Sequence, residues 1–217
     1  MTLTPELLLA AYARGYFPMG QSADDKAVEW YDPDPRGILP LEHFHLPRRF
    51  RRVLSHHPFT LRVNDDFAGV IAACAKMRPE RPSSWINAPI RDAYIALHTM
   101  GHAHSVEAWQ DGKCVGGLYG VSLGGAFFGE SMFSHVAEAS KIALATLVEI
   151  LREAGYLLLD TQYVNPHLQQ FGAIEISRAD YRTKLENALS ASPNPSSLFS
   201  TVSVRKGLAS ASSAKVN

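Results

Sequence analysis

The apolar positions of this chain recur first at helical spacing, then alternate, then return to helical spacing. In "TPELLLAAYARGYFPMG", Thr4 is placed to cap a helix, Pro5 takes its first position, Glu6 lies in its first turn, and it stops near Gly15. Residues 30–47 carry prolines at 33, 35, 40 and 47, each forcing the preceding residue toward extended geometry, so turns and short strands are expected. "RRFRRVLSH" follows, and the alternation in "FTLRVND" predicts a strand. A soft boundary falls near residue 60. Beyond it Phe67, Val70, Ile71 and Cys74 share a helical face capped by Asp65 or Asp66, and "IRDAYIALHTMGH" repeats the pattern up to Gly101.

The period then changes. "HSVEAWQDGKCVGGLYGVSLGGAFFGES" holds one hairpin turn at Asp111-Gly112 and another at Gly124-Gly125, which predicts three consecutive antiparallel strands. "AEASKIALATLVEILREAG" is the longest helical segment, with Ile142, Ala145, Leu147, Val148 and Leu151 on one wide apolar face and Gly155 as its end. "YLLLDTQYV" is too apolar for an edge and reads as a buried strand. This order predicts an α+β fold: a small N-terminal domain over 1–60, a larger domain over 61–189 with its last helix on the sheet, and a Ser/Ala/Pro-rich tail over 190–217 expected to be disordered.

Composition narrows the partners. The 217 residues are 46% apolar, as a folded domain requires, and Lys plus Arg equals Asp plus Glu at 21 each. No global field holds such a chain on nucleic acid or an anionic membrane, so any nucleic-acid contact must use a local patch. Cys74 and Cys114 lie far apart, and neither a signal-peptide pattern nor a membrane-length apolar run is seen; a cytoplasmic protein with reduced thiols is expected.

Candidate chemistry is sparse outside one region. "HFH" (43–45) and "HAH" (102–104) pair histidines without the further ligands zinc requires, so no metal is expected. Neither cysteine has an activating neighbour. Arg48, Arg49, Arg51 and Arg52 place four guanidiniums within five residues, with a looser set at Lys76, Arg78, Arg81 and Arg91; phosphate binding and a plain solvated face both fit them. In "GAFFGESMFSH", Glu130 sits among Phe127, Phe128 and Met132 with no basic neighbour in sequence.

Read in order, "YARGYFPMG", "WYDPDPRGILP", "SSWINAPIRDAYIALHTMGHAHSVEAWQDGKCVGGLYGV", "FFGESMFSHVAEASKIAL" and "LLLDTQYVNPHLQQFGAIEISRADY" resemble the bacterial leucyl/phenylalanyl-tRNA–protein transferase family over residues 7–185. Met19 and Tyr31 depart from that family's usual tryptophans. The resemblance implies an enzyme that moves Leu or Phe, and Met less readily, from aminoacyl-tRNA onto proteins beginning with Arg or Lys, marking them for degradation. It also implies a larger domain similar to the acyl-CoA N-acetyltransferase fold, an antiparallel sheet with packed helices. The pyrophosphate loop of those acetyltransferases is absent before the helix that begins near Ala137, which disfavours acyl-CoA as donor.

Carried onto this chain, the resemblance makes Glu130 the receptor for the acceptor's cationic first residue, the alternative being an internal salt bridge. It makes Asp160 and Gln162, which leave one face if their strand continues, the pair that takes the amine's proton and orients the ester; Asp160 as a strand-end cap is the competing role. Leu118, Phe127, Leu144 and Leu159 are candidates for the donor's apolar slot, though each also suits an ordinary core. Trp85, Tyr12 and Trp30 are candidates to stack on the terminal adenosine, and Asn165 to position the ester or backbone groups. No cofactor, ATP or covalent intermediate is required. An acyl-CoA acyltransferase and a non-enzymatic reader of basic N-termini remain the alternatives.

Overall fold

Helix α1 (Pro5–Tyr12) begins where the sequence requires, with the Thr4 hydroxyl accepting from Leu7 N and Pro5 filling the position whose N–H has no partner. The computed structural model describes residues 3–77, 82–194 and Phe199. Two short strands, β1 (Phe17–Met19) and β2 (Glu29–Tyr31), pair with each other, and β3 (Arg36–Ile38) enters the main sheet. Then come α2 (Arg48–His56), β4 (Thr60–Val63), α3 (Phe67–Ala75), α4 (Ala88–Thr99), β5 (Ala103–Gln110), β6 (Lys113–Leu123), β7 (Ala126–Ser134), α5 (Ala139–Ala154), β8 (Leu158–Gln162), α6 (Pro166–Gln169), β9 (Ile174–Ile176) and α7 (Arg178–Ser190).

The seven-stranded sheet runs β4-β5-β6-β7-β8-β3-β9. The expected turns at Asp111-Gly112 and Gly124-Gly125 join β5, β6 and β7 as antiparallel neighbours, with positive φ at Asp111, Gly112 and Gly124. The sheet as a whole is mixed, contrary to the antiparallel expectation, because β7 and β8 pair in parallel. The cause is the connection: a helix, α5, returns the chain across the sheet, and a helical crossover brings the next strand in with the same sense.

Two apolar layers sandwich the sheet. On one face α5 and α2 bury Leu144, Leu147, Leu151, Phe50 and Leu54 against Leu118, Phe127 and Leu159. On the other, α1, α3, α4 and α7 bury Leu8, Tyr12, Val70, Tyr94 and Tyr181 against Tyr119, Val121 and Phe128. The alternation of neighbours such as Phe127 and Phe128 between these layers follows from the two-residue period of a strand. The expected tail beyond 190 lies outside the described residues except for 191–194 and Phe199, whose ring is buried against His104, Phe127 and Tyr156. Among the described residues no helix is long and apolar enough to cross a membrane.

Candidate active site

The site forms where two strands part. β7 and β8 pair only from Ala126 with Leu158 to Phe128 with Asp160; β7 then continues to Ser134 against β6 alone, while β8 ends at Gln162. Between the separated strands and the first turns of α5 lies a cavity of about 760 Å³. Leu118, Met132, Leu144, Leu147 and Leu159 give it an apolar wall; Glu130, Thr161, Gln162 and Asn165 line it with polar groups, and the Lys141–Glu138 ion pair, His135 and His167 also border it.

Glu130 owes its position to a β-bulge. Gly120 pairs with Gly129 and Tyr119 with Ser131, so Glu130 is the extra residue between them, and its side chain leaves the normal alternation. Tyr12 Oη donates to its Oε1 at 2.7 Å and Tyr94 Oη to its Oε2 at 2.9 Å. The two hydroxyl oxygens also lie against each other, and since each has a single proton already given to Glu130, none is left for a bond between them while the carboxylate is charged. Among the described residues Glu130 joins no ion pair, so the internal salt bridge is not what the structure holds. Burial pushes the Glu130 carboxyl up to about 7, against the pull of the two hydroxyls toward the charged form. The result is a partly neutral acid that an incoming cation would ionise.

Asp160 faces away from this cavity. It is fully buried; Arg36 donates to it through Nε at 3.0 Å and Nη2 at 2.6 Å, Tyr181 Oη at 2.7 Å, and Gln162 N at 2.8 Å. Arg36 is equally buried, donates to Gly15 O at 2.8 Å, and lies over the Tyr181 ring with its guanidinium carbon 4.3 Å from the centroid. The expectation that Asp160 and Gln162 leave one face fails because the strand does not continue regularly. Gln162 has φ of +58°, which turns its side chain to line the cavity, and its Nε2 has no hydrogen-bond partner among the described residues. Gly37 permits this turn, since a Cβ there would lie 2.6 Å from the Tyr163 carbonyl carbon.

Of the other candidates, Leu118, Leu144, Leu159 and Asn165 meet at the cavity, with the Asn165 side chain also capping α6 through Leu168 N at 2.9 Å. Phe127 does not reach it. Its position on β7 precedes the parting of the strands, and its buried ring stacks toward Phe199. Tyr12 is also fully buried, tilted on Phe128, and offers no face to a base. Trp85 is partly buried, Trp30 is exposed on β2, and neither lines the cavity. Arg48, Arg49, Arg51 and Arg52 project from α2 into solvent while Phe50 and Leu54 anchor it. Lys76 is exposed at the end of α3, Arg91 is paired with Asp92, and Arg78 and Arg81 lie outside the described residues.

Sequence reasoning missed Arg36, Tyr94, Met132 and Leu147. Met132 and Leu147 carried the same apolar signal as the residues chosen; Arg36 and Tyr94 carried none that marks a partner far along the chain. Among the described residues no three His, Cys, Asp or Glu side chains gather as a metal requires, and burial pushes the Cys114 thiol up to about 12, away from a nucleophilic thiolate.

The arrangement sets an uncompensated carboxylate and an amide side chain beside an apolar slot, a geometry able to hold a cation and an apolar acyl group together. Comparison with known proteins gives the family. Residues 38–186 match the family described as leucyl/phenylalanyl-tRNA protein transferase, and residues 1–34 match that family's N-terminal domain. A leucyl/phenylalanyl-tRNA–protein transferase of Rhodopseudomonas palustris (strain HaA2) is 55% identical over 187 residues, covering 86% of this chain and 84% of that protein.

Proposed function

Because the chain belongs to the leucyl/phenylalanyl-tRNA–protein transferase family and is thus an aminoacyltransferase acting between tRNA and protein, we propose its specificity: Leu or Phe, and Met less readily, moves to the α-amine of proteins beginning with Arg or Lys. Such tagging marks the acceptor for degradation in the cytoplasm. The observation that carries this reading is Glu130, a carboxylate with no ion-pair partner among the described residues, lining a cavity that Leu118, Met132, Leu144, Leu147 and Leu159 also line.

In this mechanism the acceptor's first side chain supplies the charge that Glu130 lacks, and charge-assisted hydrogen bonding makes that contact selective. The donor's side chain fills the slot of Leu118, Met132, Leu144, Leu147 and Leu159. Such a slot separates side chains by only about 1–3 kcal/mol per methylene, so preference among apolar donors is graded. The neutral α-amine attacks the ester carbonyl, a tetrahedral adduct forms, and the ribose oxygen leaves with the proton the amine gives up. An α-amine has a pKa of about 7.7–8.0, so roughly a tenth is neutral at pH 7, and positioning supplies much of the rate.

Gln162, whose Nε2 is unpartnered, orients the ester, and Asp160 acts on the reaction through the Gln162 backbone it holds. The exposed arginines of α2, with Lys76, are the surface for the tRNA phosphates, and Asn165 and Trp85 belong to the path of the donor's 3′ end. The order of antiparallel β4 to β7 followed by a parting parallel β8 supports likeness of the larger domain to the acyl-CoA N-acetyltransferase fold. The test is labelled leucyl-tRNA mixed with two peptides differing only in an initial Arg or Gly. Transfer to the Arg peptide alone is expected; equal transfer to both would overturn the specificity.

A further inference from the structure

We propose that Tyr12 and Tyr94 are positioning residues for acceptor selection, holding Glu130 in the orientation that receives the acceptor's cation, so that helix α1 completes the acceptor site. This rests on the reading of Glu130 given above. Each hydroxyl takes a different carboxylate oxygen, Tyr12 on Oε1 and Tyr94 on Oε2. A carboxylate offers about four acceptor directions, so one remains free on each oxygen, which suits the two-pronged donation of a guanidinium.

Neither tyrosine can move away easily. Both are fully buried, Tyr12 against Phe128 with ring centroids 4.7 Å apart and Tyr94 against Tyr119 at 5.6 Å. They arrive from elements 82 residues apart in sequence, α1 and α4. A bulged residue without such anchors has no ladder pairing to fix its side chain. The other charged groups acting on Glu130 are Asp160 on β8, which opposes its ionisation, and Arg36 on β3, which favours it; these two are bound to each other. The titratable groups that share its cavity are His135 beyond β7, the Glu138–Lys141 pair at the start of α5, and His167 on α6. Tyr119 on β6 acts on the pair through Tyr94.

The sign follows from the bonding. Burial raises the Glu130 carboxyl to about 7, and each hydroxyl donates to the charged form and lowers it. Deleting a hydroxyl therefore raises it further, and capture of a cationic acceptor, which needs the ionised form, moves to higher pH.

The experiment uses the full chain and the variants Tyr12→Phe, Tyr94→Phe and the double variant. Transfer from saturating leucyl-tRNA to an Arg-starting peptide is followed from about pH 5.5 to about 8.5, a range spanning the Glu130 transition. The acceptor KM at pH 7 is expected to rise roughly tenfold or more, as loss of a hydrogen bond to a charged group implies, with the acid limb displaced upward and the donor KM unchanged. Glu130→Gln should lose the part of the acid limb that belongs to the carboxyl and keep only the part set by the acceptor's own α-amine. Should Tyr12→Phe fail to fold, Tyr94→Phe, which reaches the other oxygen from another helix, gives the same readout. An unchanged acceptor KM and limb, or an equal loss in donor and acceptor parameters, would overturn the positioning role. A wild-type enzyme that treats Arg and Gly peptides alike would instead overturn the reading of Glu130 on which it rests.

Discussion

Replacing Arg36 with Met tests the spine behind the site. Arg36 and Asp160 are both fully buried and joined by two hydrogen bonds at 3.0 and 2.6 Å, and the substitution leaves Asp160 in the interior with only the Tyr181 hydroxyl and the Gln162 N–H. Breaking a buried pair from one side costs about 3–5 kcal/mol, because the remaining charge has neither water nor a counter-charge. Against a typical stability of about 5–15 kcal/mol this is a large fraction of the total, and a double variant that removes both charges keeps the test readable if Arg36→Met alone unfolds. At about 2–4 °C per kcal/mol for a chain of this size, its Tm should fall by roughly 6–20 °C. The double variant Arg36→Met, Asp160→Leu removes both charges, and its loss should be smaller than that of Arg36→Met alone, since an apolar pair of similar volume replaces an ion pair at little cost. Transfer activity should not recover with the stability, because Asp160 no longer holds the Gln162 backbone. Thermal and urea unfolding followed by circular dichroism, beside leucyl transfer, gives both readouts. A loss under about 1 kcal/mol, or strictly additive losses, would refute the claim that this pair anchors the β8 turn.

Glu130→Gln should stabilise the protein at alkaline pH while abolishing preference for cationic acceptors. The folded carboxyl is raised from 4.5 to about 7, so its contribution is favourable below its ordinary value and is lost as pH rises through 7; urea unfolding at two pH values checks the sign. Neutralising Arg48, Arg49, Arg51 and Arg52 should weaken tRNA binding and reduce the slope of log affinity against log salt by roughly 3, if each arginine meets one phosphate; binding isotherms at several salt concentrations measure it. Leu144→Ala should widen the apolar slot, shifting relative transfer from Leu toward Phe by about tenfold, with a stability loss of about 2–5 kcal/mol; competition between leucyl- and phenylalanyl-tRNA reports the first and thermal unfolding the second.

What the chain discloses locally, it discloses well. Thr4 caps α1, Asp66 caps α3 through Gly69 N, Gly155 closes α5 in the left-handed region, and the Asp111-Gly112 turn joins β5 to β6. Each is set by residues within four positions of one another. α2 and α7 are hard to read because their polar faces dilute the apolar spacing: Phe50 and Leu54, with Val53 partly buried beside them, anchor the first, and Tyr181, Leu185 and Ala188 the second. The parallel entry of β8 depends on how α5 crosses the sheet, which no short motif records. The site divides in the same way. Glu130 stood out because a carboxylate in an apolar run is conspicuous, whereas its partners Tyr12 and Tyr94 look like ordinary core aromatics. Phe127 was misplaced by a register that only the parting of β7 and β8 reveals.

The central claim is that Glu130 reads the positive charge of the acceptor's first residue. Peptides beginning with Arg or with citrulline, its neutral near-isostere, presented with leucyl-tRNA to the native enzyme and to Glu130→Gln, isolate that charge in one cycle. The native enzyme should strongly prefer Arg and the variant should scarcely distinguish the two; a preference for Arg that survives in the variant would contradict the account.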